Sequence, residues 1–279
     1  MARAPSPEYL IIDIETIPDV TRWQRPETSP GADGVFPPTW AHRIIVIGCL
    51  WLDDRYRLKR LGMIGDPAGG SGTPDERERG LLEDFSRFVG RARPALITYN
   101  GRSFDLPVIA MRALCHAVPL PWYFREKGVR YRFSEEGHLD LCDWLTNHGA
   151  TRAVKLDAIA RLIGLPGKFG VDGSQVEGLY RSGQLATIQK YCLADVAQTA
   201  FLFLRFRLLQ GQLGAEEYRE RAAALVDALA ADGRVGEVLQ GLDREHLLGP
   251  VPPPAPAAPP EAEDDDGAAP AEDEPSRPE

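Results

Sequence analysis

This sequence has no long hydrophobic run and few cysteines, and both shortages restrict what the chain can be. The longest uninterrupted apolar run, IIVIGCLWL at residues 44–52, has nine residues, whereas a membrane-spanning helix needs about 20. The first residues, MARAPSPEY, lack the apolar stretch of a secretory signal. The four cysteines lie far apart without a C-x-x-C pair, which argues against a zinc ribbon and a disulfide framework. We expect a cytoplasmic protein with no membrane segment.

Positive charge is also scarce. The formal net charge of the 279 residues is -9, and residues 250–279 contain nine acids and one base, so the remainder is nearly neutral. Nucleic-acid binding would therefore depend on local patches and not on a strong basic field. Residues 250–279 also contain ten prolines and seven alanines, with no aromatic or larger aliphatic residue beyond Val251. We predict that this tail is disordered and that residues 1–249 form one domain.

The hydrophobic pattern predicts alternating strands and helices. The polar turn at residues 53–55 is short, so the strands on either side of it should pair in antiparallel fashion. The expected fold class is α/β, a mixed sheet that begins with three antiparallel strands and is flanked by helices. The predicted strands are residues 9–16, 43–53, 56–63 and 95–99, and the predicted helices are residues 75–89, 106–116, 156–163, 182–209 and 215–231.

Two carboxylates lie inside the first predicted strand, in the stretch YLIIDIETIPD. Alternate residues of a strand share a face, so Asp13 and Glu15 point the same way, about 7 Å apart along the strand. Ile12 and Ile14 then point the opposite way, into the core. Neighbouring buried acids repel each other and are costly to desolvate, and a divalent cation with oxygen ligands removes that cost. The alternative is a pair of acids at a solvated strand end.

Two later stretches contain acids in suggestive positions. TYNGRSFDLP follows a predicted strand and places Asp105 at the start of a helix, where the side chain could act as an N-cap, a ligand or both. YCLAD lies in the long predicted helix, where Tyr191 and Asp195 at i and i+4 share one face. The alternative is an ordinary amphipathic helix with a surface acid. However, the helix is strongly apolar after Asp195, so an acid there needs a partner.

The three stretches D-I-E-T, N-G-x-x-F-D and Y-x-x-x-D, in this order, resemble the three motifs of the DEDD 3′→5′ exonucleases. The tyrosine in the third motif is typical of the DEDDy branch, which includes proofreading domains of family B DNA polymerases. The segments HLDLCDWL and KLDAIARLIGLPGKFGVDGSQV further resemble stand-alone predicted exonucleases related to polymerase B. The resemblance covers roughly residues 8–241, and it implies a ribonuclease-H-like fold.

The resemblance also implies roles for individual residues. It implies hydrolysis of the terminal phosphodiester of a nucleic acid, with single-stranded DNA or 3′ ends as the expected substrate and 5′-mononucleotides as the products. Two ions of Mg²⁺ or Mn²⁺ would stabilise the attacking and leaving oxygens, and Tyr191 would orient the attacking water. The implied metal ligands are Asp13, Glu15, Asp105 and Asp195, and the implied substrate-binding residues are Thr16, Ile17, Asn100 and Phe104, with Phe104 equally well explained as core.

Two other features leave alternatives open, and two further acids have an expected supporting role. Residues 122–133, WYFREKGVRYRF, interleave aromatic and basic side chains, which suits either nucleic-acid binding or a strand pair with aromatics facing the core. Lys168, in a glycine-rich loop without the G-K-[ST] of a phosphate-binding loop, could contact substrate phosphate or only solvent. Asp140 and Asp143 are expected to support the structure around the site.

Three functions remain compatible with the sequence. They are a metal-dependent DNA exonuclease, an exoribonuclease with the same site, and a catalytically silent nucleic-acid-binding module. The complete set of four acids and a tyrosine argues against the silent module, because such a protein has no physical need to bury them. A contact to the 2′-hydroxyl would separate DNA from RNA, and the sequence does not identify one. Protein partners are likewise not identified.

Overall fold

Five strands form one mixed sheet in the computed structural model of the protein. Their order is β3-β2-β1-β4-β5, so β1 is central. The first three strands are antiparallel, and β4 and β5 run parallel to β1, as the predicted fold class requires. The strands are β1 (Tyr9–Pro18), β2 (His42–Leu52), β3 (Leu58–Met63), β4 (Ala95–Thr98) and β5 (His138–Asp140). The structure describes residues 7–27, 35–66, 72–167 and 173–249, apart from the side chains of 237 and 238.

Helices cover both faces of this sheet. In chain order they are α1 (Pro74–Ala92), α2 (Asp105–Cys115), α3 (Pro121–Arg125), α4 (Lys127–Arg130), α5 (Leu141–Leu145), α6 (Leu156–Leu162), α7 (Val176–Arg181), α8 (Leu185–Leu209), α9 (Ala215–Ala230) and α10 (Arg244–Leu248). Short 3-10 turns occur at Thr39–Ala41, Gly173–Gln175 and Gly236–Leu239. In the described part of the chain, no helix is both long and apolar enough to span a bilayer.

The central strand β1 is buried on both faces, and this explains its nearly continuous apolar sequence. Leu10, Ile12 and Ile14 pack into one core cluster with residues of α1 and α2, as the alternation predicts. Tyr9 and Ile11 pack into a second cluster with α8. The centre of the Tyr9 ring lies 4.9 Å from that of the Phe203 ring of α8. The sheet face that continues towards Asp13 and Glu15 therefore faces α8.

Local sequence signals explain where several elements begin. A capping box starts α1: the Thr73 hydroxyl accepts from the Glu76 N–H, and the Glu76 carboxylate accepts from the Thr73 N–H. Strand β3 begins at Leu58 and not at residue 56, because Asp53 accepts hydrogen bonds from the N–H groups of Arg55 and Arg57 and holds a turn there. Tyr56 has φ of 61°, which ends the extended conformation.

The segment 122–133 differs from the strand pair that was one of its two interpretations. It forms the short helices α3 and α4, followed by a turn. Trp122 is buried at 3% exposure and packs edge-on against Phe85 of α1. The other aromatic residues of the segment do not all enter the core, since Phe124 and Phe133 are exposed. The strand β5 and helix α5, which follow this segment, were not predicted.

Two predictions concern residues outside the described ranges. Lys168 was predicted as a substrate contact, and it lies between the described residues 167 and 173. The tail predicted to be disordered, residues 250–279, also lies outside the described residues.

Candidate active site

The acids of β1 lie in the middle of the strand, on the face that packs towards α8. One carboxylate oxygen each of Asp13 and Glu15 and the sulfur of Cys192 all lie within 4.8 Å of one another. Cys192 Sγ is 3.5 Å from Asp13 Oδ2 and 3.5 Å from the Asp13 carbonyl oxygen. The alternation of β1 therefore brings Asp13 and Glu15 to the same helix that carries Tyr191 and Asp195.

Gly48 makes this close approach of helix and sheet sterically feasible. It lies on β2 directly opposite Asp13 in the antiparallel register. A Cβ atom at this position would lie 2.6 Å from Cys192 Sγ and 3.3 Å from Cγ2 of Val196. A glycine inside a strand often marks such a close approach, and here it removes the side chain that would push α8 away from the acids.

Asp105 joins the same site from the N-terminus of α2. Its Oδ1 accepts a hydrogen bond of 3.1 Å from the backbone N–H of Ile14, which lies between Asp13 and Glu15. The Asp105 side chain is 5% exposed. Burial raises the pKa of Asp105 to about 7, opposed by hydrogen bonds from its own N–H and that of Ile14, and assisted by the negative charges of Asp140 and Asp195.

A tight turn supported by Asp140 positions Asp105. The Asp140 carboxylate accepts from the N–H groups of Asn100 and Arg102, at 2.9 and 2.8 Å, and also caps α5. Asn100 has φ of 67°, a conformation that asparagine adopts more readily than most residues. Its carbonyl oxygen accepts from the N–H of Phe104, immediately before α2. Asp140 therefore has the supporting role that the sequence predicted for it.

A buried ion network fixes the other end of α2. Arg112 donates to Glu78 Oε1 at 2.7 Å and to Asp19 Oδ2 at 2.8 Å. Glu78 lies on α1 and also accepts from the N–H of Ile44 on β2. Asp19 follows β1 and is paired with Arg43 as well. The network ties α1, α2, β2 and the end of β1 together, so Asp105 is held on a rigid helix.

Tyr191 and Asp195 complete the cluster from α8, one helical turn apart. Asp195 lies close enough to Tyr191 for its carboxylate to act on the phenol. Burial raises the pKa of Tyr191 well above its ordinary value, and the negative charges of Asp195, Glu15 and Asp13 raise it further. The phenol is therefore held in its protonated form, and its partners are the acids that the sequence placed in the same site.

Burial and mutual repulsion both disfavour the charged forms of the acids in this cluster. Burial raises the pKa of Asp13 well above its usual range, and the charges of Asp105, Glu15 and Asp195 add to the effect, while the hydrogen bond from Cys192 opposes it. Among the ion pairs between described residues, none includes Asp13 or Asp105. Four acids from three separate elements thus lie close enough to disfavour one another's charged forms.

A cleft opens beside the acids, between β1, α2 and the segment before β2. It is lined by Glu15, Thr16, Phe36, His42 and Phe104, together with residues of the turn before α7. The Thr16 hydroxyl and His42 Nδ1 are 2.9 Å apart, and His42 Nε2 donates to the Pro37 carbonyl oxygen. The rings of Phe104 and His42 pack edge to face, with their centres 5.0 Å apart.

Of the four described residues predicted to bind substrate, Thr16 and Phe104 line this cleft. Phe104 is also half-buried against the core, as its other interpretation predicted, and its contact with substrate stays a prediction. Ile17 lies beyond a bulge of β1 and lines a neighbouring groove with Arg43 and Tyr180. Asn100 shapes the turn that leads to Phe104, as described above.

A second group of acids differs from the first because arginine side chains neutralise it. Carboxylate oxygens of Asp75 and Glu78 and a ring nitrogen of His116 also lie within 4.8 Å of one another. Here arginine supplies the counter-charge: Arg112 binds Glu78, and Arg43 lies 2.6 Å from Asp75. This group is therefore a structural ion network and not a candidate cation site.

Comparison with known proteins identifies the family. Residues 34–244 match the family described as predicted 3′→5′ exonucleases related to the exonuclease domain of PolB. The chain belongs to this family. It is also 27% identical over 141 residues to the catalytic subunit of DNA polymerase epsilon from Schizosaccharomyces pombe. That alignment covers 48% of this chain and 6% of the polymerase subunit.

Sequence reasoning missed three residues at the site of this PolB-related exonuclease family member. Gly48 was the lone glycine in the apolar run of β2, and that isolation was the available signal. Cys192 directly follows Tyr191 in the YCLAD stretch of α8, and its small apolar side chain gave no sign of a contact with the acids. His42 contacts Thr16 only after the chain folds, and no local pattern indicated it.

Proposed function

We propose that the protein is a metal-dependent 3′→5′ exonuclease that hydrolyses the terminal phosphodiester of DNA and releases 5′-mononucleotides. The observation that carries the proposal is the convergence of Asp13, Glu15, Asp105 and Asp195 beside the half-buried Tyr191. Family membership supports the same reaction type and polarity. In this proposal residues 1–249 form the exonuclease domain.

The donor set fits divalent metal ions. All four acids offer oxygen ligands, which suit Mg²⁺ or Mn²⁺. The pKa values of Asp13 and Asp105 are raised first by burial and then by neighbouring negative charges, and a bound cation would offset both effects. We propose that these two residues, with Glu15 and Asp195, hold two such ions. Bound metal would supply Lewis-acid stabilisation of the phosphoryl group and a more acidic water molecule.

The remaining residues of the site would orient the reactants. A protonated phenol donates and accepts hydrogen bonds, so Tyr191 can hold a water molecule in line with the phosphorus atom. Thr16 and Phe104 line the adjoining cleft, where a polar group and an aromatic face can contact a terminal nucleotide. The hydrogen bond from the Ile14 N–H to Asp105 would hold Asp105 at a constant distance from Asp13 and Glu15, the neighbours of Ile14 on β1.

DNA is the proposed substrate because the similar polymerase subunit is named as part of a DNA polymerase. We also propose a cytoplasmic location. The four cysteines are free thiols, three of them buried, which suits a reducing compartment.

Digestion of end-labelled oligonucleotides tests the proposal. The full chain should shorten single-stranded DNA from its 3′ end with Mg²⁺ or Mn²⁺ and stop in EDTA. Asp13→Asn should lose at least about 100-fold in rate, because it removes one charge from the cation site. Hydrolysis in EDTA, or an unchanged rate in Asp13→Asn, would contradict the proposal. Faster digestion of a matched RNA would overturn its substrate.

A direct measurement of metal binding separates the site from the reaction. Calorimetric titration of the wild-type protein with Mn²⁺ should detect binding, and Asp13→Asn should weaken it. Arg79→Gln is a matched control, since Arg79 pairs with exposed Glu83 on α1 and with no other residue in the described part of the chain. Equal Mn²⁺ affinity in all three proteins would show that these acids are not the ligands.

A further inference from the structure

Three aromatic side chains within ten residues are exposed on one part of the surface. Phe124, Tyr131 and Phe133 have exposed fractions of 55%, 59% and 58%. Exposed single apolar residues are ordinary, but several large rings together indicate an interaction site. Trp122 in the same segment is buried and anchors it against α1. The rings are therefore presented by a segment that is itself packed on the core.

Basic side chains lie among these rings. Residues 121–133 contain four basic residues and one acid, whereas residues 1–249 as a whole are nearly neutral. Arg125, Lys127 and Arg130 are exposed. The Arg130 guanidinium lies 5.2 Å from the centre of the Phe124 ring, a cation–π contact that holds both groups at the surface. The acid, Glu126, is exposed and lies 3.9 Å from Arg93.

This surface is mechanically connected to the candidate active site. Arg102, in the turn that precedes Asp105, donates from Nη1 to the Arg130 carbonyl oxygen at 3.1 Å. The same guanidinium lies 3.1 Å from Asp143, and Asp143 accepts from Arg132 at 2.7 Å. The turn that positions Asp105 therefore also holds the backbone between α4 and Phe133.

We propose that this aromatic–cationic surface, consisting of Phe124, Arg125, Lys127, Arg130, Tyr131 and Phe133, binds the single-stranded part of a nucleic acid that lies 5′ of the reacting end. The proposal rests on the proposed function, because it assigns this strand to a substrate whose 3′ end is at the acids. Cations would contact phosphates, and exposed rings would stack on bases. The mixture of rings and cations favours a nucleic acid over an apolar protein partner.

Equilibrium binding tests the surface without any hydrolysis. A fluorescent single strand of about 15 nucleotides, within the range of single-strand binding sites, is titrated with the full chain in EDTA. Combined Phe124→Ala, Tyr131→Ala and Phe133→Ala should weaken binding by roughly 10-fold for each ring. Leu114→Ala is the control, since Leu114 is also exposed, at 79%, on α2. Equal affinity in the triple variant and the wild type would overturn the proposal.

The charges are tested by the salt dependence of the same binding. Arg125→Gln with Lys127→Gln should reduce the slope of log K against log salt by about 0.7 for each cation removed. Arg55→Gln is the control, because it removes an exposed cation that does not belong to the surface. Arg55 lies in the β2–β3 turn, at the end of the sheet where β1 begins. Arg125 and Lys127 are exposed, and glutamine is a conservative replacement, so these variants should fold. They therefore test the surface even if the triple variant does not fold. An unchanged slope would overturn the electrostatic part.

Substrate length separates this inference from the proposed function. Hydrolysis of a dinucleotide, too short to span both sites, should be equal in the wild type and the triple variant, while digestion of the long strand slows. If the wild type hydrolyses nothing but the triple variant still loses binding, the proposed exonuclease activity is rejected and the proposed binding surface is retained. Light scattering that shows a wild-type dimer and a monomeric triple variant would instead make the surface a self-interface and overturn the inference.

Discussion

The backbone N–H of Ile14 donates to Asp105 Oδ1 over 3.1 Å, and this bond joins the first two acidic motifs of the chain. It lies between the two acids of β1 and is buried. The same carboxylate is thus a structural acceptor and a candidate metal ligand. Substitution by asparagine can separate these two roles. Its amide oxygen can still accept the hydrogen bond from Ile14, but it lacks the negative charge of a carboxylate ligand.

We predict that Asp105→Asn remains folded and loses activity. Its amide oxygen still accepts from Ile14, while the negative charge is lost. Asp105→Ala instead leaves a buried N–H without an acceptor and should reduce the free energy of unfolding by about 1–3 kcal/mol. Urea denaturation compares the two variants, and oligonucleotide digestion measures their activity. Equal stability of the two variants would show that the bond contributes nothing to the fold.

Tyr191→Phe and Asp195→Asn should differ in kind. Tyr191→Phe retains the ring and loses a hydrogen bond that positions water, so turnover should fall about 10- to 1,000-fold. The turnover of Asp195→Asn should fall further, and this variant should require more Mn²⁺, since the substitution removes the charge of a proposed metal ligand. Rates measured over a range of Mn²⁺ concentrations check both expectations. A wild-type rate for Tyr191→Phe at several pH values would indicate that Tyr191 only packs on the helix face.

Gly48→Ala should destabilise the protein through Cys192. The added methyl would lie 2.6 Å from the sulfur, and overpacking of this kind costs about 1–3 kcal/mol. Cys192→Ala removes the sulfur and should restore most of that loss in the double variant. A double-mutant cycle of unfolding free energies measures the coupling. Additive effects would place the clash elsewhere, for example against Val196.

Arg112→Met should be among the most destabilising single substitutions. Arg112 is 1% exposed, and its removal leaves the carboxylates of Asp19 and Glu78 buried with less compensation. Breaking such a buried network costs about 3–5 kcal/mol. Arg79→Ala, which breaks the exposed pair with Glu83, should cost about 0.5 kcal/mol or less. Similar melting temperatures for the two variants would contradict the structural role of the network.

His138 should make the fold sensitive to acid. Burial lowers the pKa of His138 to about 3, and the positive charge of Arg102 also lowers it. Between the unfolded pKa of about 6.5 and this value, the unfolded chain binds the extra proton. The free energy of unfolding should therefore fall by about 1.4 kcal/mol per pH unit as pH decreases through that range.

His138→Gln provides the comparison. Glutamine does not titrate, and it can still hydrogen-bond to the Thr98 hydroxyl, which lies 2.8 Å from His138 Nε2. The difference in unfolding free energy between the two proteins should change with pH from about 6 to 4, with the wild type losing stability faster. Parallel pH profiles would show that His138 is protonated in the folded protein over that range.

Much of the candidate site follows from local geometry. Side-chain alternation predicted that Asp13 and Glu15 share a face and that Ile12 and Ile14 enter the core, and the structure confirms both. The i,i+4 spacing predicted that Tyr191 and Asp195 reach one site, and Asp195 is close enough to raise the pKa of Tyr191. The segment at residues 122–133 was harder, because ring and charge alternation is compatible with a strand pair or with short exposed helices.

The sequence by itself determined which residues share a face of an element, because the periods of strand and helix are set by backbone geometry. It also determined the layered α/β class, through the order of its apolar segments. Only the tertiary structure decided which faces meet. Gly48 opposite Asp13, Cys192 against the acids and Arg112 between two carboxylates depend on contacts between residues far apart in the chain, and a local hydrophobic pattern records that a face is buried but not what covers it.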